Sequence, residues 1–326
     1  MRIGVIGAGA VGGVLAALLD RAGHTVSVTA RGAQLSAIQE SGIALSGAWG
    51  SHVALVDANP ELPKGLDLVL VTTKAQDAAA AISSNASVVD GVPVLVIQNG
   101  LEAISAATRL LPHSPIAGGL ALFAASYLSP GSVAVTAAQP LYLGGQASPF
   151  VALLSPLLPV SVLENFAGAQ WTKLIVNQLN ALPAITGLSV QETIAHRGLR
   201  RVLTASMREA VRVGLAAGVR FEALQGLTDA SLRRFSRLPL WAAQALPLRF
   251  LRTFGDVPNP GSTLQSLRRG QRTEIDYLNG AIVATGEAPI NAALVALVHS
   301  VETSATFLPP DDVIQQLSAK MRRGWS

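Results

Sequence analysis

Gly7-Ala8-Gly9-Ala10-Val11-Gly12 follows the apolar run Arg2-Ile3-Gly4-Val5-Ile6 and opens an Ala- and Leu-rich run that closes at Ala22-Gly23. The spacing is G-x-G-x-x-G, set between a predicted strand and a predicted helix. Each glycine then has its own task. Gly7 permits the tight turn, Gly9 lets the backbone approach a pyrophosphate, and Gly12 allows the helix to pack closely on the sheet. Ala8, Ala10 and Val11 contribute backbone to the same loop, and the unpaired N–H groups of the first helical turn suit phosphates. The hexapeptide alone fits a glycine-rich turn in any α/β protein. A strand starting at residue 2 makes it a dinucleotide-binding signature.

The chain continues in the same alternation. Thr25–Thr29 reads as a second strand and Ala33–Glu40 as a helix, with a small surface hairpin over Ile43–Leu45 and Val53–Val56. Leu68–Thr72 and Val94–Ile97 are continuous apolar runs of the kind a parallel sheet buries on both faces. Helices near Ala75–Ile82 and Leu101–Leu110 follow them. Ala117–Leu128, Ser132–Thr136 and Leu141–Leu143 predict antiparallel strands extending that sheet, with Ser129-Pro130-Gly131 as a turn. From Gln170 onward the spacing is helical: Gln170–Leu182, Leu199–Gly218, Ile275–Thr285, and Asn291–Leu308 stopped by Pro309-Pro310. The stretch from Arg220 to Pro260 reads only as helical and rich in Arg and Leu. The expected fold is an α/β Rossmann-type domain over residues 1–165 followed by an all-α domain over 166–326, with the boundary near Leu163–Gly168.

Composition narrows the function classes. Of 326 residues, 13% are charged and 50% hydrophobic, which excludes disorder for the bulk of the chain. Cysteine is absent, so disulfides, thiolate catalysis and Cys-based zinc sites are ruled out. Five scattered His without a His-x-x-x-His pair argue against a metal site. The uncharged run Ile3–Leu19 behind Met1-Arg2 superficially resembles a signal peptide, but it is glycine-rich and ends in Asp20-Arg21. It is also shorter than the roughly 20 apolar residues a spanning helix needs. A soluble cytoplasmic protein without a membrane partner is expected. Residues 1–163 carry 6 basic and 8 acidic groups, and residues 164–326 carry 18 and 12. Eleven Arg fall within Arg197–Arg252. No aromatic interleaving or DNA-binding motif accompanies them, so a solvated face is expected rather than a nucleic-acid surface. Its field suits anionic small molecules.

The end of the second strand bears on the dinucleotide. NAD enzymes usually place a carboxylate there for the ribose 2′-OH, whereas this chain has Val28-Thr29-Ala30-Arg31. The Arg31 fork suits a 2′-phosphate, and Lys74, after the Leu68–Thr72 strand, offers a second cation. NADP(H) is the expected cofactor.

With these residues in view, the chain resembles the ketopantoate reductase (2-dehydropantoate 2-reductase) family over nearly its whole length. The matching pieces are the glycine motif with Arg31, Gln98-Asn99-Gly100, Pro130-Gly131-Ser132-Val133 and Trp171-Thr172-Lys173-Leu174 with Asn177. Ser262-Thr263-Leu264-Gln265 and Thr273-Glu274-Ile275-Asp276-Tyr277-Leu278-Asn279-Gly280 complete the set. The resemblance implies a helical domain similar to the C-terminal domain of 6-phosphogluconate dehydrogenase. It also implies reduction of 2-dehydropantoate to pantoate by NADPH in coenzyme A synthesis, with the site in the cleft between the domains.

Hydride arriving at a ketone builds charge on oxygen, so the reaction needs a cation that can also release a proton. Lys173 is the single lysine of the second half before Lys320, and the resemblance assigns it as general acid. Asn177, four residues on, shares its helix face. Glu274 is implied to bind a substrate hydroxyl and help position Lys173, Ser262 to contact the carboxylate, and Asn99 to lie beside nicotinamide and substrate. Asn180 belongs to the same substrate set. Plainer roles stand beside these: a helix cap for Ser262, an N-terminal helix carboxylate for Glu274, and solvated cations for Arg31, Lys74 and Lys173.

Three departures stand out. A second Asn usually lies eight residues after the lysine, followed by Pro-Leu; here Asn180 is at seven, before Ala181-Leu182-Pro183. Ser266 replaces the usual Asp, and the segment before Pro289-Ile290-Asn291 is short. The first two bear on the substrate more than on the reaction type. The alternatives are a reductase of another small 2-keto acid, an opine-type dehydrogenase, and a non-catalytic NADP-binding regulator. The expected partner is a small 2-keto acid, and a homodimer is left open.

Overall fold

A computed structural model describes residues 1–252 and 257–323 of the chain. They divide into two compact units, Met1–Phe166 and Ala167–Ser326. The first unit contains strands β1 (Arg2–Ile6), β2 (Thr25–Thr29), β3 (Ile43–Gly47), β4 (His52–Ala54), β5 (Asp57–Asn59) and β6 (Leu68–Val71). Strands β7 (Val94–Ile97), β8 (Ile116–Ala121), β9 (Ala124–Ser129), β10 (Ser132–Ala137), β11 (Leu141–Gly145) and β12 (Val160–Val162) follow. Its helices are α1 (Ala10–Arg21), α2 (Gly32–Ser41), α3 (Ala75–Val89), α4 (Ala103–Leu110) and α5 (Ser148–Leu154).

Eight strands form the main sheet in the order β12-β11-β8-β7-β6-β1-β2-β5. All pairs are parallel except β8 with β11. β6 and β7 are buried at every residue, as expected of strands covered on both faces. The strand order reverses at β1, which places a topological switch point at the carboxyl end of β1, the usual ligand position in such sheets.

The expected extension of this sheet by three antiparallel segments holds for β11 and for the first part of Ala117–Leu128, which is β8 and pairs antiparallel with β11. Ala117–Leu128 is not one strand. It breaks at Leu122-Phe123, and β9 with β10 joins a separate sheet in the order β4-β3-β10-β9. The cause lies in α1, which is buried without interruption from Gly12 to Leu19. One sheet can cover only one side of such a helix, and the second sheet covers another. Val133, Val135, Ile43, Leu45 and Ala54 share a core with Val14–Leu19. Burying each such side chain contributes roughly 1.5–3 kcal/mol. The predicted hairpin β3–β4 is therefore half of this second sheet, with β10 parallel to β3. β5 and β12 escape a sequence reading because each has three residues and little alternation.

The second unit is helical among its described residues. It contains α6 (Phe166–Asn177), α7 (Ala181–Thr186), α8 (Val190–Ala195), α9 (Arg197–Ala216), α10 (Asp229–Arg237), α11 (Leu240–Ala243) and α12 (Ala245–Leu251). After residues 253–256, which fall in the Arg- and Leu-rich stretch and lie outside the described residues, come α13 (Gly261–Arg268), α14 (Asn279–Thr285), α15 (Pro289–Ser304) and α16 (Pro310–Arg323). The single helix expected over Gln170–Leu182 is interrupted by a 3₁₀ turn at Gln178–Asn180. Pro183 accounts for this, since it has no N–H to donate and its ring disfavours α geometry just upstream. A second 3₁₀ turn, Ile275–Tyr277, precedes α14 where one helix was expected. The helix expected to run to Leu308 and stop at Pro309-Pro310 instead ends at Ser304, with Ala305 in the left-handed region; Pro310 starts α16, a position that suits its missing donor. Among the described residues, no helix is long and apolar enough to cross a membrane.

A Cβ on Gly12 would run into the carbonyl of Gly7 and the hydroxyl of Thr72. Gly12→Ala is expected to lower stability by about 1–3 kcal/mol through overpacking. In urea unfolding the midpoint should fall with little change of slope. A variant as stable as the parent would show that α1 can shift away from β1 freely.

Candidate active site

At the carboxyl end of β1 the loop Gly7–Gly9 is fixed by its neighbours. The Gly7 N–H donates to Thr29 Oγ1 (2.9 Å), and Thr72 Oγ1 donates to the Gly7 carbonyl (2.8 Å). Gly7 has φ +99°, a region glycine alone enters readily. Gly9 caps α1, and a Cβ there would meet nothing within 4 Å. No acidic residue lies in the first turn of α1, and no side chain caps it. The loop thus presents backbone donors and a positive dipole end toward open space.

Arg31 is exposed and occupies the N-cap of α2, two residues past the end of β2. Lys74 caps α3 after β6 and is half-buried. Asn99 follows β7 and is also half-buried, next to Gln98, whose amide donates to the Thr73 carbonyl (2.9 Å). The predicted nucleotide residues Gly7, Ala8, Gly9, Ala10, Val11, Gly12, Arg31, Lys74 and Asn99 therefore all lie at or just beyond the carboxyl ends of β1, β2, β6 and β7.

In the second unit, Lys173 and Asn177 lie four residues apart on α6, both half-buried. Burial pulls the Lys173 amine down to about 8, while the Glu274 carboxylate draws it upward. That pairing fixes Lys173 and Glu274 as neighbours, although 101 positions separate them in sequence. Glu274 directly precedes the 3₁₀ turn Ile275–Tyr277 and makes no side-chain capping bond to it. Ser262 is exposed in the first turn of α13, one residue inside the helix rather than at its cap. Its N–H donates to Asn180 Oδ1 (3.2 Å). Asn180 and Ser262 are thus brought together, with Asn180 holding the backbone at the start of α13.

Several contributors escaped the sequence reading. Gln34, in the first turn of α2, donates to the Ala8 carbonyl (2.7 Å) and accepts from Tyr127 Oη (3.0 Å) and the Gly131 N–H (2.8 Å). It ties the glycine loop to the turn of the second sheet. In the helical unit, Asn279 donates to Gln178 Oε1 (2.7 Å) and Asn291 Oδ1 (2.9 Å). Asn291 in turn donates to Glu209 Oε2 (2.8 Å). Glu209 accepts the N–H groups of Ile290 and Asn291 at the start of α15. Burial raises the Glu209 carboxyl above its ordinary value against the pull of these bonds. Gln178, Asn279 and Asn291 are shut off from solvent and Glu209 is half-buried, and the network links the turn after Lys173 to the segment after Glu274. Its only sequence signal is polar residues inside apolar helical spacing. Among the described residues, no cluster of His, Asp and Glu could hold a metal ion.

Comparison with known proteins bears on the family. The Ketopantoate reductase PanE/ApbA profile matches residues 3–147, and the profile of the family's C-terminal domain matches residues 165–302. A 2-dehydropantoate 2-reductase of Archaeoglobus fulgidus is 27% identical over 319 residues, covering 93% of this chain and 98% of its own. The solved PanE/ApbA family ketopantoate reductase of Ralstonia eutropha superimposes with a TM-score of 0.79 at 30% identity, covering 93% of this chain and 99% of that one. A D-mandelate dehydrogenase solved with NADH and anilino(oxo)acetate shares the fold, with a TM-score of 0.79, 20% identity and coverage of 93% and 99%. Matched in both halves of its sequence, the chain belongs to the ketopantoate reductase PanE/ApbA family of oxidoreductases.

Proposed function

We propose that the chain is an NADPH-dependent reductase of a small 2-keto acid, with 2-dehydropantoate, reduced to (R)-pantoate, as its substrate. The observation that carries this reading is the Lys173 amine, brought to about 8 by burial and faced by Glu274. An ordinary lysine, near 10.4, holds its proton too tightly to be an efficient acid at neutral pH. At about 8 the amine is still protonated under working conditions and releases its proton far more readily.

The residues at the carboxyl end of the main sheet fit a dinucleotide. Open space beside Gly9 and the bare first turn of α1 suit a pyrophosphate. The exposed Arg31 suits a 2′-phosphate, with Lys74 as a second cation and Asn99 toward the nicotinamide and substrate. When bound, the cofactor supplies hydride from nicotinamide C4 to the C2 carbonyl. Lys173 stabilises the charge that develops on the carbonyl oxygen and gives its Nζ proton to that oxygen. Asn177, on the same helix face, hydrogen-bonds the same oxygen or the product hydroxyl. Glu274 holds the ammonium and accepts from a substrate hydroxyl. The hydroxyl of Ser262, on a turn held by Asn180, binds the substrate carboxylate.

Purified protein with NADPH and ketopantoate is expected to oxidise the cofactor, followed by its absorbance. The rate of reduction should be steady at neutral pH and fall as pH rises through about 8, where Lys173 loses its proton. Lys173→Met should lower kcat by roughly 10²–10⁴-fold while the protein still binds NADPH. Turnover only when an amine is added would replace this reading with an opine-type reaction. Binding without turnover of any branched 2-keto acid would replace it with a regulator.

Arg31→Ala tests the cofactor separately. Charge-assisted bonds of about 1.5–3 kcal/mol imply a loss of roughly 10- to 100-fold in NADPH affinity, with NADH affinity nearly unchanged. Equal losses for both cofactors would remove Arg31 from the 2′-phosphate.

A further inference from the structure

The residues on either side of Glu274, Thr273 and Asp276, are bonded by side chains of α15. On α15, His299 Nδ1 lies 2.7 Å from Glu302 Oε2, one turn further along the same helix. Its other ring nitrogen, Nε2, lies 2.9 Å from Asp276 Oδ1. A histidine can donate from both nitrogens only as the imidazolium, and here both face carboxylate oxygens. Burial disfavours the charged ring, but the bonds to Glu302 and Asp276 outweigh it and hold the pKa above the ordinary value. Asp276 from the facing segment and Glu302 from its own helix are the charged groups that act on the ring.

Glu302 uses its second oxygen differently. Oε1 accepts the backbone N–H of Thr273 at 2.8 Å. Thr273 immediately precedes Glu274, and Asp276 stands two residues after it. The His299–Glu302 pair therefore grips the chain on both sides of Glu274 and leaves its carboxylate to face Lys173. α15 itself is anchored at its start by Glu209 and, through Asn291, by Asn279. An exposed ion pair on its own adds little to stability. The Glu302 contact differs, because its side chain is only 17% exposed and one of its bonds is to backbone, whereas the His299–Asp276 contact is more open, with side chains 39% and 51% exposed.

We infer that His299 and Glu302 are positioning residues for the Glu274 carboxylate, fixing its distance from the Lys173 amine by holding Thr273 and Asp276. The inference rests on the reading of Lys173 and Glu274 as the reacting pair. Loosening the grip lets the carboxylate drift, so its upward pull on Lys173 weakens and burial dominates. The amine then loses its proton at lower pH. A merely structural role for the cluster would change stability but not the titration of a lysine on another helix.

The chain has four lysines, Lys64, Lys74, Lys173 and Lys320, so the Lys173 amine can be titrated directly by NMR of protein labelled at the lysine side chains. His299→Ala and Glu302→Ala are each expected to move the Lys173 titration to lower pH, as Glu274→Gln does. The alkaline limb of kcat/KM with NADPH and ketopantoate should move with it. kcat/KM should fall by about tenfold to a hundredfold, while the NADPH dissociation constant stays unchanged. Adding His299→Ala to Glu274→Gln should produce no further displacement. Glu302→Gln keeps an oxygen for Thr273 and an amide toward the ring, so it should retain the fold and recover most of the loss. An unmoved Lys173 titration in a folded His299→Ala or Glu302→Ala protein, or full additivity with Glu274→Gln, would overturn the inference. If the unaltered protein reduces no keto acid but Lys173 still moves, the proposed function fails and the positioning role stands.

Discussion

A single ammonium, half withdrawn from water and faced by one carboxylate, is the interaction on which the helical unit depends. Burying a charge is costly unless it is paired, and α6 itself carries no acidic residue to pair with Lys173. Glu274 supplies the pairing from a segment distant in sequence. The two opposing influences leave the amine at about 8 rather than at either extreme. Such a balance depends on distance, so the scaffold has to fix where each partner sits. That requirement accounts for the concentration of buried polar side chains in this unit. Gln178, Asn279 and Asn291 are each 0–1% exposed, and they join the turn after Lys173 to the elements around Glu274 through hydrogen bonds. These bonds have stricter geometry than apolar packing.

The first unit meets a different constraint, the approach of a helix to a strand. α1 sits against β1 without a side chain at Gly12, and its remaining surface is too apolar for one sheet to cover. The small second sheet follows from that excess of apolar surface. Its strands come from two separate hairpins, β3 with β4 and β9 with β10. They are brought together by what they bury and not by proximity in sequence.

How far the sequence reaches can be traced residue by residue. The strand, turn and helix at Arg2–Ala22 were legible because three glycines at fixed offsets behind an apolar run specify a tight turn and a close helix contact. β6 and β7 were legible because a run of four fully buried apolar residues suits a parallel sheet. The destination of β9 and β10 was not, because alternation along a strand specifies a buried face and leaves open which sheet provides it. The interruption at Gln178–Asn180 could have been read from Pro183, whose effect falls upstream on residues that give no local sign of a break. Lys173 stood out as a lone lysine in an apolar helix, but Glu274 and its pairing with Lys173 came only from the family resemblance, since their mutual placement is a tertiary fact that no local spacing encodes. Gln34, His299 and Glu302 carried no signal at all, since a polar residue on a helix surface looks the same whether it meets water or a neighbouring backbone.

Gln34 has a consequence for anyone who would redesign the nucleotide preference of this chain. Its side chain satisfies the Ala8 carbonyl on one side and Tyr127 and Gly131 on the other, and it lies three positions after Arg31. A transplanted loop that runs past residue 33 would therefore sever a strut between the glycine turn and the accessory sheet while altering the charge at residue 31. Grafts confined to residues 30–32 would leave that strut in place, and a longer exchange would have to import its own glutamine.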